Sequence, residues 1–498
     1  MIALPRWTVW NALVVLALIR LAYLPWFCHI TDLAGDEAYY WEWGRRLDWG
    51  YYSKPPMIGW LMGAVGRLSG NAEWAVRLSA LLFGTASLAL LTQLAQRQWG
   101  RAAAGWTLLL AALAPGNIAL NLFFTIDAPL VFCWSAALLL FWLAVESPRR
   151  WSLWLLLCGV LGVGHLSKQM MLVFPVLMLV FVSVHRPARP LLFNPRFWVC
   201  SLGSLLFLIP VLRWNQAHQW ITLQHTQEHF TGQPFDWGQR LSEFLLFPVV
   251  QAAMLSPLSA LLIVSALGLV VRRWRTLSSS ECFAVVFAVP GLVIFMLLAM
   301  RQYVIPNWPA VYYLAALPLA GQLLACHPRW QRPVGVSAAV FALLGYCSPL
   351  LFSVTGQEGG RLDPVRRLRG WQETGQQMGQ MLSKVPRPEA TFLLVLGHRD
   401  PASLLAFYTL GHPSAFRWQP DGRITSQYEL WPSAGSRLGD DALMVLPRDK
   451  TLPAALKRAF DEVIPWGEID AAAGQLQRRH FKVYWGSNLR HWPLPERG

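Results

Sequence analysis

Residues 125–145 read TIDAPLVFCWSAALLLFWLAV, so a single carboxylate, Asp127, stands directly before eighteen residues that carry no charge. A helix needs about 20 apolar residues to cross the hydrocarbon core of a bilayer. Similar runs recur along the 498-residue chain, at 7–29, 197–212, 244–271, 281–299, 310–326 and 333–353. The repetition predicts a polytopic α-helical membrane protein.

The composition favours the same class. Charged residues make up 14% of the chain and hydrophobic residues 55%, whereas soluble proteins carry about 25% charged residues. The net charge of +15 does not indicate a disordered chain, because disorder requires low hydrophobicity. The apolar runs also argue against a nucleic-acid-binding protein. Many of the 27 Trp residues suit the aromatic belts at membrane interfaces.

The basic residues between the apolar runs alternate with other stretches. Arginine clusters lie at 97–101, 149–150, 186–196, 272–275 and 329–332, and polar or aromatic stretches lie at 32–55, 115–127, 164–170, 213–240 and 300–309. Cytoplasmic loops hold the excess of Lys and Arg. The alternation predicts about eleven spans, and it places everything after about residue 354 outside the cytoplasm.

Two apolar stretches do not have the length of one span. Residues 151–184 as a single helix would extend about 51 Å at 1.5 Å per residue, well beyond the hydrocarbon thickness of about 30 Å. Both flanks are rich in arginine, so we expect two short spans that turn near residues 165–168. Residues 57–68 are too short to cross, and we expect them to form an interfacial segment.

The chain is expected to divide at residue 353. Residues 1–353 would form the transmembrane domain, with a first outside loop at 30–56, and residues 354–498 a soluble α/β domain. Apolar runs between turn residues predict strands, here Thr391–Leu396, Ala442–Leu446 and Phe481–Trp485. Asp400 is expected to cap a helix that runs through Leu410.

The first outside loop has the highest density of polar and aromatic residues. Residues 35–56 read GDEAYYWEWGRRLDWGYYSKPP, and if 36–46 is helical, Asp36, Tyr39 and Tyr40 share one face. A carboxylate there can take a proton or hold a divalent metal ion, and Lys54 suits phosphate oxygens. The alternative is an interfacial helix capped by Asp36, with its Trp and Tyr residues at the lipid headgroups.

Other polar residues lie at the ends of spans on the same predicted side. Asp127 is a functional candidate because ionisable groups at membrane depth are costly, although it could instead cap the following helix. His165 and Lys168 could bind an anion or merely reach toward the interface. Arg301 and Asn307 belong to a third polar segment that could meet a phosphate.

No nucleotide-binding loop is present in the sequence. Neither Gly-x-x-x-x-Gly-Lys-Ser/Thr nor Gly-x-Gly-x-x-Gly occurs, and these are the loops that hold nucleotide phosphates. We therefore expect no nucleotide cofactor, and any group-transfer donor must arrive in the membrane or from outside.

The segment GDEAYYWEWGRRLDWGYYSKPPMIGWL, residues 35–61, resembles the first external loop of bacterial polyprenyl-phosphate-dependent glycosyltransferases. These belong to the protein mannosyltransferase-like and aminoarabinose transferase-like branch of the GT-C superfamily. The resemblance continues in order through TIDAPL, HLSKQ, WNQAHQW, PNWPA, LLAFYTLGHP and RITSQYELW. It implies a GT-C fold in the bacterial inner membrane, with the active site at the periplasmic face. The donor would be a sugar on undecaprenyl or another polyprenyl phosphate, and the acceptor a lipid, a glycan such as lipopolysaccharide, or a protein.

The resemblance also implies roles for single residues. Asp36 would be the essential carboxylate, as acceptor-side base or metal ligand, with Glu37 in support and Asp127 as a second carboxylate. Lys54 would hold the donor phosphate. The rest of the candidate site comprises two further cations for the phosphate, Arg301 and Lys168, and the cavity residues Tyr39, Tyr40, Tyr52, His165 and Asn307.

Ser53 departs from the family pattern. Aminoarabinose transferases tend to have Glu directly before Lys-Pro-Pro, and a metal ion has been associated with that carboxylate. Ser53-Lys54 keeps the cation and lacks the acid. A divalent metal ion at Asp36 is therefore an option that the resemblance leaves open.

A transporter or flippase of lipid-linked sugars is the alternative class. It would also need many spans and a few charges in a cavity. Such proteins place their binding groups near the bilayer midplane between repeats, whereas here the candidate charges gather at one predicted face. The sequence therefore favours the glycosyltransferase.

Overall fold

The computed structural model describes residues 8–228 and 237–493. Up to residue 354 the described chain is helical: α1 (Val9–Ile30), α2 (Gly35–Arg45), α3 (Met57–Ser69), α4 (Glu73–Trp99), α5 (Arg101–Ala112), α6 (Pro115–Leu122), α7 (Asp127–Glu146), α8 (Trp151–Ser167), α9 (Val173–Val184), α10 (Pro195–Gly203), α11 (Ile209–Ala217), α12 (Ile221–Glu228), α13 (Trp237–Leu255), α14 (Pro257–Val271), α15 (Ser279–Ala299), α16 (Ala310–Cys326) and α17 (Pro328–Val354).

The remaining described chain mixes helices and strands. In chain order these are α18 (Trp371–Leu382), β1 (Thr391–Leu396), α19 (Arg399–Tyr408), β2 (Ala415–Trp418), β3 (Asp441–Pro447), α20 (Ala454–Ala459), β4 (Phe460–Ala472) and β5 (Arg478–Leu489). Short 3₁₀ turns join several elements, among them Gln169–Leu172 before α9 and Ser204–Leu208 between α10 and α11.

By composition, eleven apolar helical segments of the described residues can be matched with the predicted spans. In the described residues, six segments are long and apolar enough to cross a membrane, with α10 and α11 counted as one. Three more are helix pairs bent by 68° to 118° at a short break, namely Arg101–Ala112 with Pro115–Leu122, Gln169–Val184 with Arg186–Phe193, and Trp237–Leu255 with Pro257–Val271. The two shorter apolar helices α8 and α16 complete the set. The polytopic helical class is confirmed.

Residues 151–184 form two helices, as their length requires. Helix α8 ends at Ser167, and Lys168 has an extended backbone with φ −160° and ψ 142°. The 3₁₀ turn Gln169–Leu172 then leads into α9. The predicted turn near residues 165–168 is confirmed.

The chain separates into two compact units. The first comprises Met1–Leu24, Lys54–Ile58 and Arg77–Tyr346, and the second comprises Pro25–Ser53, Gly59–Val76 and Cys347–Gly498. The division predicted at residue 353 stays a prediction.

Helix α7 lies in the core of the first unit. It is apolar around its whole circumference, as expected for a helix enclosed by others, and Trp134 and Phe141 are fully buried. Phe141 packs against aromatic rings from α9 and α15, those of Phe181, Phe283 and Phe287. This packing holds α7 in the core of the unit.

The second unit contains a five-stranded sheet in the order β2-β1-β3-β5-β4. Strand β1 pairs in parallel with β2 and β3, and β5 pairs antiparallel with β3 and β4. Residues 391–395 of β1 are all buried, which suits a central strand with both faces covered. Strand β4 lies at the edge and carries a register shift between Pro465 and Gly467, where a proline is tolerated.

Helix α2 packs closely on α3 and on α19 in this unit. A Cβ atom on Gly44 would lie 2.4 Å from the backbone nitrogen of Gly63, and one on Gly35 would lie 2.4 Å from Cγ of Asp400. Both positions therefore need glycine. The contact at Gly35 brings the N-terminus of α2 against the N-terminus of α19.

The predicted strands are confirmed, with β1 at its predicted bounds and β3 and β5 extending beyond theirs. The predicted cap of α19 is wrong. His398, not Asp400, is the N-cap residue, and its side chain accepts the amide of Asp400. The helix also ends at Tyr408 rather than Leu410, since the backbone is extended at Thr409.

Candidate active site

A buried ion pair joins two helix ends in the first unit. Asp127 is the first residue of α7, and its Oδ1 lies 2.8 Å from Nζ of Lys168, directly after α8. Nδ2 of Asn307 donates to Oδ2 of the same carboxylate at 2.5 Å. Both side chains of the ion pair are about one-tenth exposed. The Asp127 carboxylate thus has a donor at each oxygen.

This geometry decides two of the alternatives left by the sequence. Ile126, not Asp127, is the N-cap residue of α7, so the Asp127 carboxylate does not cap this helix. Lys168 is 8% exposed and donates to Asp127, so reaching toward the interface is the wrong interpretation. A carboxylate at a helix N-terminus is also favoured by the helix dipole.

His165 and Asn307 each present a buried polar atom. His165 is fully buried, and its Nε2 lies 3.3 Å from Oγ of Ser204. In the described part of the chain, Nδ1 of His165 and Oδ1 of Asn307 have no hydrogen-bond partner. Buried polar atoms are nearly always satisfied in native proteins. The hydrogen-bonding capacity of these two atoms is therefore unused within the described residues.

Two predicted phosphate-binding residues lie elsewhere in the first unit. Arg301 is exposed in the turn after α15, six residues before Asn307. Lys54 is half-buried in the short segment before α3. Their contact with a donor phosphate stays a prediction.

Asp36 begins a second polar group, in the second unit. It lies in the first turn of α2, and its Oδ1 accepts a hydrogen bond from Nη2 of Arg399 at 2.8 Å. Arg399 is the first residue of α19, and its guanidinium lies 4.4 Å above the ring of Tyr39. Burial by itself would lower the pKa of Arg399, but the negative charge of Asp36 raises that pKa above its usual value. The guanidinium therefore remains charged.

The predicted aromatic face of α2 is buried. Tyr39 is fully buried, and its hydroxyl accepts the backbone N–H of Gln427 at 2.5 Å. Burial raises the pKa of Tyr39 to about 12, although the charge of Arg399 acts in the opposite direction. The backbone N–H of Tyr52 donates to Oε1 of Gln427 at 2.6 Å, and the ring of Tyr40 lies 5.0 Å from that of Trp43.

These contacts argue against a merely interfacial helix, because its Trp and Tyr rings pack inside the unit. Trp41 is 2% exposed and Trp43 is fully buried. The helix itself is confirmed at Gly35–Arg45. Whether Tyr39, Tyr40 and Tyr52 line a substrate cavity stays a prediction.

Glu37 has a local structural contact. It is fully buried, and its Oε2 accepts the backbone N–H of Ala34 at 2.9 Å. This is the contact by which an acidic residue in the first turn secures the start of a helix. A supporting role for Glu37 beside Asp36 is compatible with it.

Sequence reasoning missed Arg399. It is separated from Asp36 by 363 residues, and an arginine before a predicted helix has no distinguishing pattern of its own. The only available signal was that LLAFYTLGHP, within the resemblance to the family, begins five residues later.

The residues around Asp36 do not fit a divalent metal ion. No three His, Cys, Asp or Glu side chains are placed to hold one, over residues 8–228 and 237–493. The neighbouring carboxylate of Glu37 accepts from the backbone, and position 53 is serine. The Arg399 guanidinium already contacts Asp36, and its positive charge would repel a second cation.

The fold has known counterparts among solved structures. ArnT from Cupriavidus metallidurans in the apo state superposes with a TM-score of 0.65, at 18% identity over 95% of this chain and 98% of that one. The same protein bound to undecaprenyl phosphate gives a TM-score of 0.61, at 18% identity over 95% and 97% of the two chains. The chain is thus a polytopic membrane protein with the GT-C fold.

Sequence comparisons identify the family. Residues 53–214 match the dolichyl-phosphate-mannose-protein mannosyltransferase family. The lipid A galacturonosyltransferase RgtD from Rhizobium johnstonii is 30% identical over 412 residues, which cover 80% of this chain and 82% of that protein. The chain belongs to the GT-C glycosyltransferases, as the resemblance in its sequence implies. It is a multi-pass glycosyltransferase of the bacterial inner membrane.

Proposed function

We propose that the enzyme transfers a sugar from a polyprenyl phosphate to lipid A at the periplasmic face of the inner membrane. The observation that carries this proposal is the 30% identity to RgtD over 82% of that protein, whose name gives lipid A as its acceptor. The ArnT structure with undecaprenyl phosphate supports the lipid-phosphate donor. The alternation of arginine clusters supports the periplasmic side.

The reaction is a direct displacement at the anomeric carbon of the sugar. An acceptor hydroxyl oxygen forms the new bond to this carbon, while the bond from the carbon to the phosphate oxygen breaks. The polyprenyl phosphate leaves with the electron pair, and the hydroxyl proton passes to Asp36. Lys54 and Arg301 stabilise the negative charge that develops on the leaving phosphate.

Asp127, Lys168 and Asn307 form the polar lining for the sugar and its phosphate. An ammonium has three N–H donors, so Lys168 can contact a phosphate oxygen as well as Asp127. The unpaired Nδ1 of His165 and Oδ1 of Asn307 suit sugar hydroxyls. We place no metal ion at Asp36, because the residues beside it do not provide a ligand set.

The test uses a strain without the gene and a complemented strain, with the variants Asp36→Asn and Lys54→Ala. Lipid A, core glycan and polyprenyl-phosphate lipids are extracted and their masses compared. We expect lipid A to lose one sugar mass in the deletion strain and in both variants, while the matching polyprenyl-linked sugar accumulates. Two variants of exposed residues in the second unit, Asp421→Asn and Lys450→Ala, serve as matched controls.

The proposal fails if lipid A keeps its mass in the deletion strain. A mass loss confined to core glycan or to a protein would retain the enzyme and replace the acceptor. Unchanged glycans, with the lipid-linked sugar redistributed between the leaflets, would instead support the transporter alternative.

A further inference from the structure

The Asp36–Arg399 contact lies where two helices of the second unit begin. Asp36 is in the first turn of α2, Arg399 is in the first turn of α19, and Gly35 allows the two helix N-termini to approach. The Asp36 side chain is 48% exposed, whereas that of Arg399 is 25% exposed. The carboxylate thus keeps an open side, and the guanidinium is mostly enclosed.

Several contacts fix the orientation of Arg399. Its guanidinium stacks over the ring of Tyr39, one helical turn after Asp36, at 4.4 Å. Its Nε lies 3.5 Å from Oδ1 of Asp400. Tyr39 is itself held by the backbone of Gln427. A guanidinium is planar with donors in fixed directions, so a fixed Arg399 holds the Asp36 carboxylate in one orientation.

The same place is where the resemblance allowed a metal ion. A metal at such a carboxylate supplies a fixed positive charge, which keeps the group ionised and oriented. Arg399 supplies both features here, whereas Ser53 and Glu37 cannot complete a ligand set. We infer that Arg399 is the positioning residue for Asp36, and that it takes the place of a divalent metal ion in this enzyme. The kinetic test of this inference rests on the proposed function.

The first measurement does not depend on activity. Wild-type protein and the Asp36→Asn variant are purified in the presence of Zn²⁺ and Mn²⁺ and dialysed, and their metal content is determined by plasma mass spectrometry. We expect the same metal content in both, with no stoichiometric ion that depends on Asp36. One equivalent of metal in the wild type that is lost in Asp36→Asn would overturn the inference, whatever the substrate is.

The second measurement is chemical rescue of sugar transfer. The Arg399→Ala variant should lose about 10- to 100-fold in kcat, the usual range for a residue that orients a reacting group, with KM for the donor little changed. Guanidinium chloride at millimolar concentration should restore part of that kcat, whereas the neutral isostere urea should not. Arg399→Lys should retain more activity than Arg399→Ala. Arg423→Ala, at an exposed arginine of the same unit, is the control.

The outcomes separate this inference from the proposed function. Wild-type enzyme that transfers sugar in the presence of EDTA, with rescue by guanidinium, supports the inference. Transfer that EDTA abolishes, or Arg399→Ala at wild-type kcat, overturns it and leaves the proposed function intact. Wild-type enzyme that transfers no sugar would count against the proposed function, and the metal content would then decide the inference alone.

Discussion

The two candidate carboxylates, Asp127 and Asp36, are held in different ways. Asp127 is buried and has two partners, 41 and 180 residues away, in the segments that follow α8 and precede α16. Asp36 is half-exposed and contacts Arg399, 363 residues away. Asp127 is thus built into the packing of its unit, and Asp36 keeps an open side for chemistry. The two sites should therefore respond differently to loss of the cation.

Loss of Lys168 should have the largest effect on stability. Lys168→Met leaves the Asp127 carboxylate buried without its counter-charge. We expect the free energy of unfolding to fall by about 3–5 kcal/mol, the usual cost of breaking a buried ion pair from one side. Thermal or denaturant unfolding of the detergent-purified protein would measure the loss.

A double variant tests the physical reason for this loss. Asp127→Asn combined with Lys168→Met removes both charges, so it should recover much of the stability while transfer stays impaired. Lys450→Met, at an exposed lysine, should change the free energy of unfolding by about 0.5 kcal/mol or less. If Lys168→Met is as stable as this control, the ion pair does not support the first unit.

The first of these sites was within reach of the sequence. The uncharged run after Asp127 predicts α7, and residues 151–184 are too long for one span, which predicts a turn near Lys168. Consecutive antiparallel helices bring the start of α7 to the end of α8, so the pairing of Asp127 with Lys168 follows from topology. Only the contact of Asn307 with Asp127 required the folded structure.

The second site and its sheet were less predictable. Strand β1 is short and wholly apolar, and its sequence predicts it well. Strand β4 contains Pro465 and Gly467, which argue against a strand, and only its edge position makes them tolerable. The contact between Asp36 and Arg399 depends on how α2 packs on α19, and no local pattern encodes packing over 363 residues.

Substitution of Tyr408, in the second unit, should cause the next largest loss of stability. It is half-buried at the end of α19, its hydroxyl donates to Oε2 of Glu73 at 2.7 Å and it accepts the backbone N–H of Leu33 at 2.6 Å. Burial, followed by the charge of Glu73, raises its pKa well above the usual value. Tyr408→Phe removes the hydrogen bond to each of these two partners, so we expect a loss of about 1–3 kcal/mol in the free energy of unfolding.

Tyr484→Phe is the matched control for this variant, since the hydroxyl of Tyr484 makes no hydrogen bond within the described chain. It should be close to wild type in the same unfolding measurement. Equal stability of the two variants would show that the Tyr408 hydroxyl does not hold α19 in place.

We expect Glu42 to affect the pH dependence of stability in the opposite direction to an ordinary paired carboxylate. It is fully buried in α2, Oε1 accepts from Arg45, and Oε2 has no partner among the described residues. Burial raises its pKa, although Arg45 acts in the opposite direction. An acid whose pKa is raised on folding lowers the free energy of unfolding as the pH rises above the pKa of that acid in the unfolded chain.

Glu42→Gln should therefore be more stable than wild type at pH 8, by about 1–2 kcal/mol, and should approach wild type near pH 4. The amide oxygen can still accept from Arg45, so the hydrogen bond is kept while the buried charge is removed. Unfolding curves of both proteins across this pH range give the comparison. A variant that is less stable at pH 8 would mean that attraction to Arg45 outweighs the cost of burial.

Substitution of Arg399 should have the smallest effect on stability, although it should have a large effect on catalysis. Asp36 is half-exposed, so water screens its ion pair with Arg399, and screened pairs are worth about 1 kcal/mol or less. Arg399→Gln should therefore unfold closer to wild type than Lys168→Met. A loss of stability as large as that of Lys168→Met would mean that Arg399 supports the fold of the second unit as Lys168 supports the first. A small loss together with low kcat would instead show that one carboxylate is held for packing and the other for the reaction.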